Sequence, residues 1–159
     1  MKKLHCLLTA GAVLLLSACT TVSSISSAHE GTVVSLRDMT VAAPGKQPLK
    51  STSFTNFEFK AVKPGNEQPF YGVLPLEFRP GHLVADILLF APGMFLNLRT
   101  AYPFYEFDAV SGVVRYKSAE NEAWTEYRPT SAEVARAEAY FKAEAVPASA
   151  AGEASAANP

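Results

Sequence analysis

The two cysteines, Cys6 and Cys19, both lie at the N-terminal end of the chain, and the three histidines are His5, His29 and His82. Ser-His-Asp and Cys-His schemes need an imidazole beside the nucleophile. Past residue 30 that leaves His82 alone, directly after Pro80-Gly81. No Cys or His pair has zinc spacing, no acidic loop has the calcium pattern, and no glycine-rich phosphate loop is present. Glu106 and Asp108, two apart in an extended run, share a face, which is the geometry an acid/base carboxylate pair would need, but the expectation is a solvated strand face opposite Tyr105 and Phe107. Asp86 lies inside an apolar stretch, where an unpaired carboxylate costs several kcal/mol. Arg99 is its nearest downstream cation, and the two form a candidate buried ion pair. These residues predict a protein that is not an enzyme, with no catalytic, cofactor-binding or metal-binding residues.

The thiol of Cys19 has a more specific setting. Lys2 and Lys3 precede an apolar run from Leu4 to Leu16, and Ser17-Ala18 supply small residues before a cut, which is the layout of a secretory signal. About 13 apolar residues fall short of the roughly 20 that a membrane-spanning helix requires. Leu16-Ser17-Ala18-Cys19 resembles the lipobox of bacterial lipoproteins. That resemblance implies diacylglycerol on the Cys19 thiol, removal of residues 1–18 as signal peptide, and acylation of the new amino group. One acyl chain holds a protein marginally, at about 0.8 kcal/mol per buried methylene, whereas several hold it stably. It also implies a place in the cell envelope, and with Thr20 rather than aspartate after the cysteine, the periplasmic face of the outer membrane in a Gram-negative cell.

Composition narrows the remainder. The 159 residues carry 14 basic and 15 acidic side chains, and loss of Lys2 and Lys3 leaves 12 basic ones spread singly. A nucleic-acid surface needs clustered cations, so none is expected. With Cys6 discarded and Cys19 acylated, no disulfide can form, and the fold must rest on its apolar core. The length suits one domain.

The elements follow from periodicity. Residues 19–30, rich in Ser and Thr, have no useful apolar period and read as a lipidated tether, with His29 solvated in it. Gly31 to Val41 predicts a strand, and Ala42 to Ser53 a turn and linker around Pro44-Gly45 and Pro48. Phe54 to Val62 alternates, placing Phe57, Phe59 and Ala61 on one face and Asn56, Glu58 and Lys60 on the other. Phe70 to Phe78 is extended, and Pro75 puts it at a sheet edge or a bulge. Leu83, Ile87, Phe90 and Met94 have helical spacing within His82 to Leu98, and a helix apolar nearly all round is either sandwiched in a core or docked on lipid or a partner. The core placement is the expectation. Tyr102 to Asp108 and Val113 to Lys117 predict a hairpin, followed by a strand at Ala123 to Tyr127. Thr130-Ser131-Ala132-Glu133 is a capping box opening a helix with Val134, Ala137, Phe141 and Ala145 as its apolar stripe. Residues 147–159 read as a disordered tail.

The expected fold is thus a single α+β domain over residues 31–146, a small antiparallel sheet of about five strands covered by two helices near 83–91 and 131–145. Gly72-Val73-Leu74-Pro75-Leu76 and Val84 to Pro92 resemble small enterobacterial envelope lipoproteins of the YceK/YidQ kind, in which a proline-bearing strand precedes an apolar helix carrying Asp and ending in Pro. The chain departs from them at Ala85-Asp86-Ile87, where that group tends to have Asp followed by Thr. The resemblance implies a small envelope lipoprotein and carries over no activity. The expected function is contact with another envelope protein, the membrane being held through the N-terminal acyl chains. A lipoprotein carrier or sensor for an apolar ligand, enclosed by Leu83 to Leu98 and the aromatic strands, is the alternative.

Overall fold

A computed structural model describes residues 20–52, 54–66, 68–89 and 98–156. Cys19, the signal segment and residues 90–97 lie outside them. The fold is dominated by sheet. Its larger sheet has the order β11-β10-β9-β1-β4, formed by β11 (Thr125–Tyr127), β10 (Val113–Lys117), β9 (Phe104–Asp108), β1 (Thr20–Ser27) and β4 (Gly45–Lys50). The smaller sheet has the order β3-β2-β5-β6, from β3 (Met39–Ala42), β2 (Val33–Leu36), β5 (Glu58–Val62) and β6 (Phe70–Val73). A two-stranded ladder joins β7 (Leu76–Phe78) to β8 (Arg99–Ala101). Helix α1 spans Pro80–Leu89 and α2 spans Ser131–Ala156.

Alternation decides which side chains meet. From the larger sheet Ile25, Leu49, Tyr105, Phe107 and Val114 turn inward, and from the smaller sheet Val34, Leu36, Val41, Phe59 and Ala61. Each of the larger of these side chains gains about 1.5–3 kcal/mol by leaving water. Phe59 and Phe107 meet edge to face across the two sheets, ring centres 5.1 Å apart, the arrangement favoured by aromatic quadrupoles. The face expected for Phe57, Phe59 and Ala61 is the core face, and the hairpin, the strand at residues 125–127 and the break at Pro75 between β6 and β7 are present.

Four expectations are corrected. The fold has eleven strands among the described residues rather than about five in one antiparallel sheet, and the larger sheet is mixed: β1 runs antiparallel to β4 and parallel to β9. The segment read as a tether is β1, the strand between those two, with Ser23 and Ile25 fully buried. Its hydroxyls reach backbone carbonyls of the neighbouring strand, Ser23 Oγ to Tyr102 O at 2.7 Å, Ser26 Oγ to Tyr105 O at 3.0 Å and Ser27 Oγ to Phe107 O at 3.0 Å. A Ser-rich strand loses little by burial when each hydroxyl has an acceptor. Helix α1 does not fill the core: Val84, Ile87 and Leu88 are all more than half exposed. Finally, α2 continues to Ala156 through the segment expected to be disordered.

The linker also yields more structure than a turn. β3 and β4 join through a cis Ala43–Pro44 peptide. A Cβ on Gly45 would stand 2.5 Å from Val41 Cγ1 and 2.8 Å from Ala42 O, so this tight return requires glycine. Pro48, Lys46 and Lys50 keep β4, at the sheet's edge, from templating further pairing.

Candidate functional site

Helix α2 covers the outer face of the smaller sheet. Its start is the expected capping box: Glu133 N donates to Thr130 Oγ1 at 3.3 Å, and Thr130 N donates to Glu133 Oε2 at 2.8 Å. Ala137 is fully buried, Phe141 meets Tyr71 with ring centres 6.2 Å apart, and Ala145, the expected last member of the stripe, is exposed.

Beneath this helix lies the most enclosed charge among the described residues. Glu58 points outward from β5, as alternation predicts, yet α2 leaves its side chain only 4% exposed. Arg136 Nε donates to Glu58 Oε1 at 2.8 Å, and Arg37 Nη1 lies 3.8 Å from Oε2. Arg37 occupies the turn between β2 and β3 at φ 48°, in the left-handed region. That conformation costs a non-glycine residue about 1–2 kcal/mol and is offset by what it aims. Arg37 N donates to Glu58 O at 2.9 Å, Nη1 donates to Asn56 O at 3.2 Å, and the guanidinium lies 5.1 Å from the Tyr140 ring centre. The Tyr140 hydroxyl donates to Asp38 Oδ1 at 2.7 Å, a bond that pushes the phenol above its usual range and keeps it protonated. Chemically this is a latch of opposite charges. Alternation puts Glu58 on the face away from the core, and nothing local shows that a helix 78 residues away closes over that face.

A cleft of about 320 Å³ opens beside this latch, lined by Arg37, Asp38, Met39, Lys50, Thr52 and Phe57. Its rim carries both signs of charge. The aromatics expected to enclose an apolar ligand, Tyr105 and Phe107, are instead fully buried in the core. Tyr105 spans its packing with one hydroxyl, accepting from Tyr102 N at 2.8 Å and donating to Pro75 O at 2.7 Å, and burial pushes that phenol strongly upward.

The expected site residues separate. Glu106 and Asp108 share the outer face of β9 but each has its own partner: Glu106 Oε1 accepts from Arg115 Nη1 at 2.7 Å, and Asp108 Oδ1 lies 3.1 Å from His29 Nε2. Asp108 also accepts from Val110 N and Ser111 N, closing the turn to β10. Hydrogen bonding from Ser111, then from His29 and Val110, outweighs burial and holds this carboxyl well below its ordinary 3.8. His29 is therefore a structural tie across β1 and β9. The nearby Ser27 hydroxyl lies within hydrogen-bond distance of Thr32 Oγ1 and Phe107 O. Arg99, in β8, donates from Nη1 to Asn56 Oδ1 at 3.2 Å and from Nη2 to Thr55 O at 3.3 Å. Asp86 belongs to α1, and its side chain and that of His82 lie outside the described set, as Cys19 does. Among the described residues no three of His, Cys, Asp and Glu gather as metal ligands.

The outer face of the larger sheet carries the other feature that the sequence reading missed. Lys117 Nζ lies 4.7 Å from the Trp124 ring centre and 5.4 Å from that of Phe104, and Trp124 is 39% exposed. β-Pairing of Lys117 with Phe104 and of Phe104 with Ser24 puts these groups in one row across the sheet. Comparison with protein-family models, curated proteins and solved structures gave no match to this chain.

Proposed function

We propose that this chain is a lipid-anchored cell-envelope protein, acylated at Cys19, that acts by contact with another envelope protein and not by catalysis. The observation that carries this reading is the row Phe104, Lys117 and Trp124, open on the outer face of the larger sheet. A large aromatic that combines apolar area with few rotatable bonds is the side chain that most often anchors a protein interface. The cation seated between the rings offers a partner carboxylate a fixed target. Strand β1 supports the reading from the other side. It begins at Thr20, one residue after the proposed acylation site, and lies between β4 and β9. An anchor there would mount the sheet without slack, so its outer face would keep a fixed attitude to the membrane.

Two measurements test this. Metabolic labelling with a clickable fatty acid should mark the mature chain and be lost in Cys19→Ala, and an unlabelled native chain would remove the anchor from the proposal. A photo-crosslinking residue at position 124 in cells should capture one envelope protein reproducibly, and Lys117→Glu should abolish that product. Crosslinks that persist unchanged in Lys117→Glu would show that this face is not the interface.

A further inference from the structure

The register of the strands locates the end of the molecule where an anchor would leave. β1 pairs Thr20 with Lys50, and Thr21 Oγ1 lies 2.8 Å from Thr100 Oγ1 of β8. β8 pairs Arg99 with Phe78 of β7, and Arg79 N donates to Leu98 O at 2.8 Å just beyond. The next residue, Pro80, opens α1. Thr52, which forms a bridge with Arg99, leads on that side into Phe54. Thr20, α1, Phe78 and Phe54 therefore share one end of the domain. Val110, in the turn after β9, lies at the other end, roughly 25 Å away along β1.

That shared end carries most of the exposed large apolar side chains described. Val84, Ile87 and Leu88 fall at i, i+3 and i+4, one stripe of α1, and are 54%, 60% and 71% exposed, with Phe78 at 51% and Phe54 at 79%. Leu83, at the flank of this stripe, is half-buried. A helix of 10 residues is about 15 Å long, half the thickness of a bilayer's hydrocarbon core. Among the described residues no helix is long and apolar enough to cross a membrane. A short helix with one apolar stripe suits the interface plane instead. Lys50, Glu77 and Arg79 stand at the same end.

We infer that α1, with Phe78 and Phe54, is a membrane-docking surface that lies in the headgroup region of the bilayer holding the anchor. The inference rests on the acylation of Cys19 proposed above. One extended residue spans about 3.5 Å, so acyl chains on Cys19 bring Thr20 to the headgroups and leave the apolar stripe beside them. A protein partner would have to enter between the domain and the lipid to cover the same stripe. The anchor and the stripe thus fix one orientation together, with α1 toward the lipid and the turn at Val110 away from it.

Purified full-length chain, processed in cells and reconstituted into phosphatidylethanolamine and phosphatidylglycerol vesicles, provides the test. With Cys6 removed and Cys19 acylated, a single engineered thiol takes a fluorophore cleanly. In Leu88→Cys the label should be quenched several-fold more by lipids brominated high on the acyl chain than in Val110→Cys, and less by aqueous iodide. Equal access of iodide to both labels, in protein that floats with the vesicles, would overturn the docking inference and leave the anchor standing. Fluorophore attached to Cys19 in the unsubstituted chain, with loss of flotation, would show that the anchor reading itself has failed. Shielding of Leu88→Cys from iodide without lipid quenching, together with a doubled mass in detergent, would assign the stripe to a second copy and also overturn the inference. Val84→Cys, on the same stripe, gives the same readout if Leu88→Cys folds poorly.

Discussion

Arg136 of the C-terminal helix and Glu58 of β5 meet at 2.8 Å, Nε to Oε1, with the carboxylate side chain 4% exposed and the arginine 55% exposed. One partner is therefore in the protein and the other half in water. Glu58 Oε2 has no hydrogen-bond partner among the described residues, and Arg37 stands 3.8 Å from it. The pair fastens α2 to the smaller sheet at the cost of enclosing a charge.

Removing Arg136 should cost more than an exposed ion pair is worth. Breaking a buried pair typically costs 3–5 kcal/mol and an exposed one at most about 1, so Arg136→Met should lose about 1–3 kcal/mol. Glu58→Leu with Arg136→Met should recover much of that loss. Urea denaturation of the two single variants and the double variant measures the coupling, and additive losses would show that the pair does not act as a unit.

Asp108 ties stability to acid pH. Its folded value lies below its ordinary 3.8, chiefly through Ser111. The carboxylate therefore contributes stability that is fully present above that ordinary value and is lost as pH falls through the folded one. Melting temperatures taken from about pH 5 to pH 2 should fall less steeply in Asp108→Asn than in the native chain. Parallel curves would place the acid sensitivity elsewhere.

Gly72 lies in β6 where a Cβ would stand 2.5 Å from Pro129 Cγ and 2.7 Å from Phe59 Cζ. Neither neighbour has a flexible end to withdraw. Overpacking of this kind costs about 1–3 kcal/mol, so Gly72→Ala should lower the unfolding free energy measured by urea denaturation by that amount and loosen the start of α2. Hydrogen exchange of the Val134 amide, which donates to Thr130 O at 3.0 Å, reports the loosening.

For Asp86 and Arg99 the double-mutant cycle is the decisive measurement. Arg99→Ala removes its bonds to Asn56 and Thr55, which by themselves are worth about 1.5–3 kcal/mol each as bonds to a charged group. If Asp86 shares the guanidinium, Asp86→Leu should be neutral or stabilising while the cycle shows coupling. A coupling energy near zero would show that Asp86 does not share the guanidinium.

Local pattern carried a good part of this fold. Alternation through Phe57, Phe59 and Ala61 gave a core face, Pro75 marked a break, and Thr130 with Glu133 marked a helix start, because each is set by neighbours within a few residues. β1 was not legible. Its buried positions include Ser23, and its fit depends on carbonyls from Tyr102 to Phe107, about 80 residues on, which no short window contains. The enclosure of Glu58 by Arg136, 78 residues on, was hidden for the same reason. For α1 the apolar content was visible, but content alone does not say whether a stripe faces a core or the outside. The row of Phe104, Lys117 and Trp124 needed the strand register, which links three separate segments.

The place of β1 also governs the order in which the molecule can be made. Ser23 and its acceptor on Tyr102 are 79 residues apart, and the parallel ladder with β9 has no hairpin to bring its strands together. A chain that emerges N-terminus first, from a ribosome or through a membrane pore, exposes this strand earliest and must leave its β9 side open until Asp108 has followed. Through that interval it presents free backbone N–H and C=O groups, an invitation to wrong pairing in a slow, non-local topology. Its Ser and Thr content then has a second value. A strand of hydroxyl side chains is a poor seed for aggregation while it waits, and becomes fully satisfied only once the carbonyls of Tyr102, Tyr105 and Phe107 arrive.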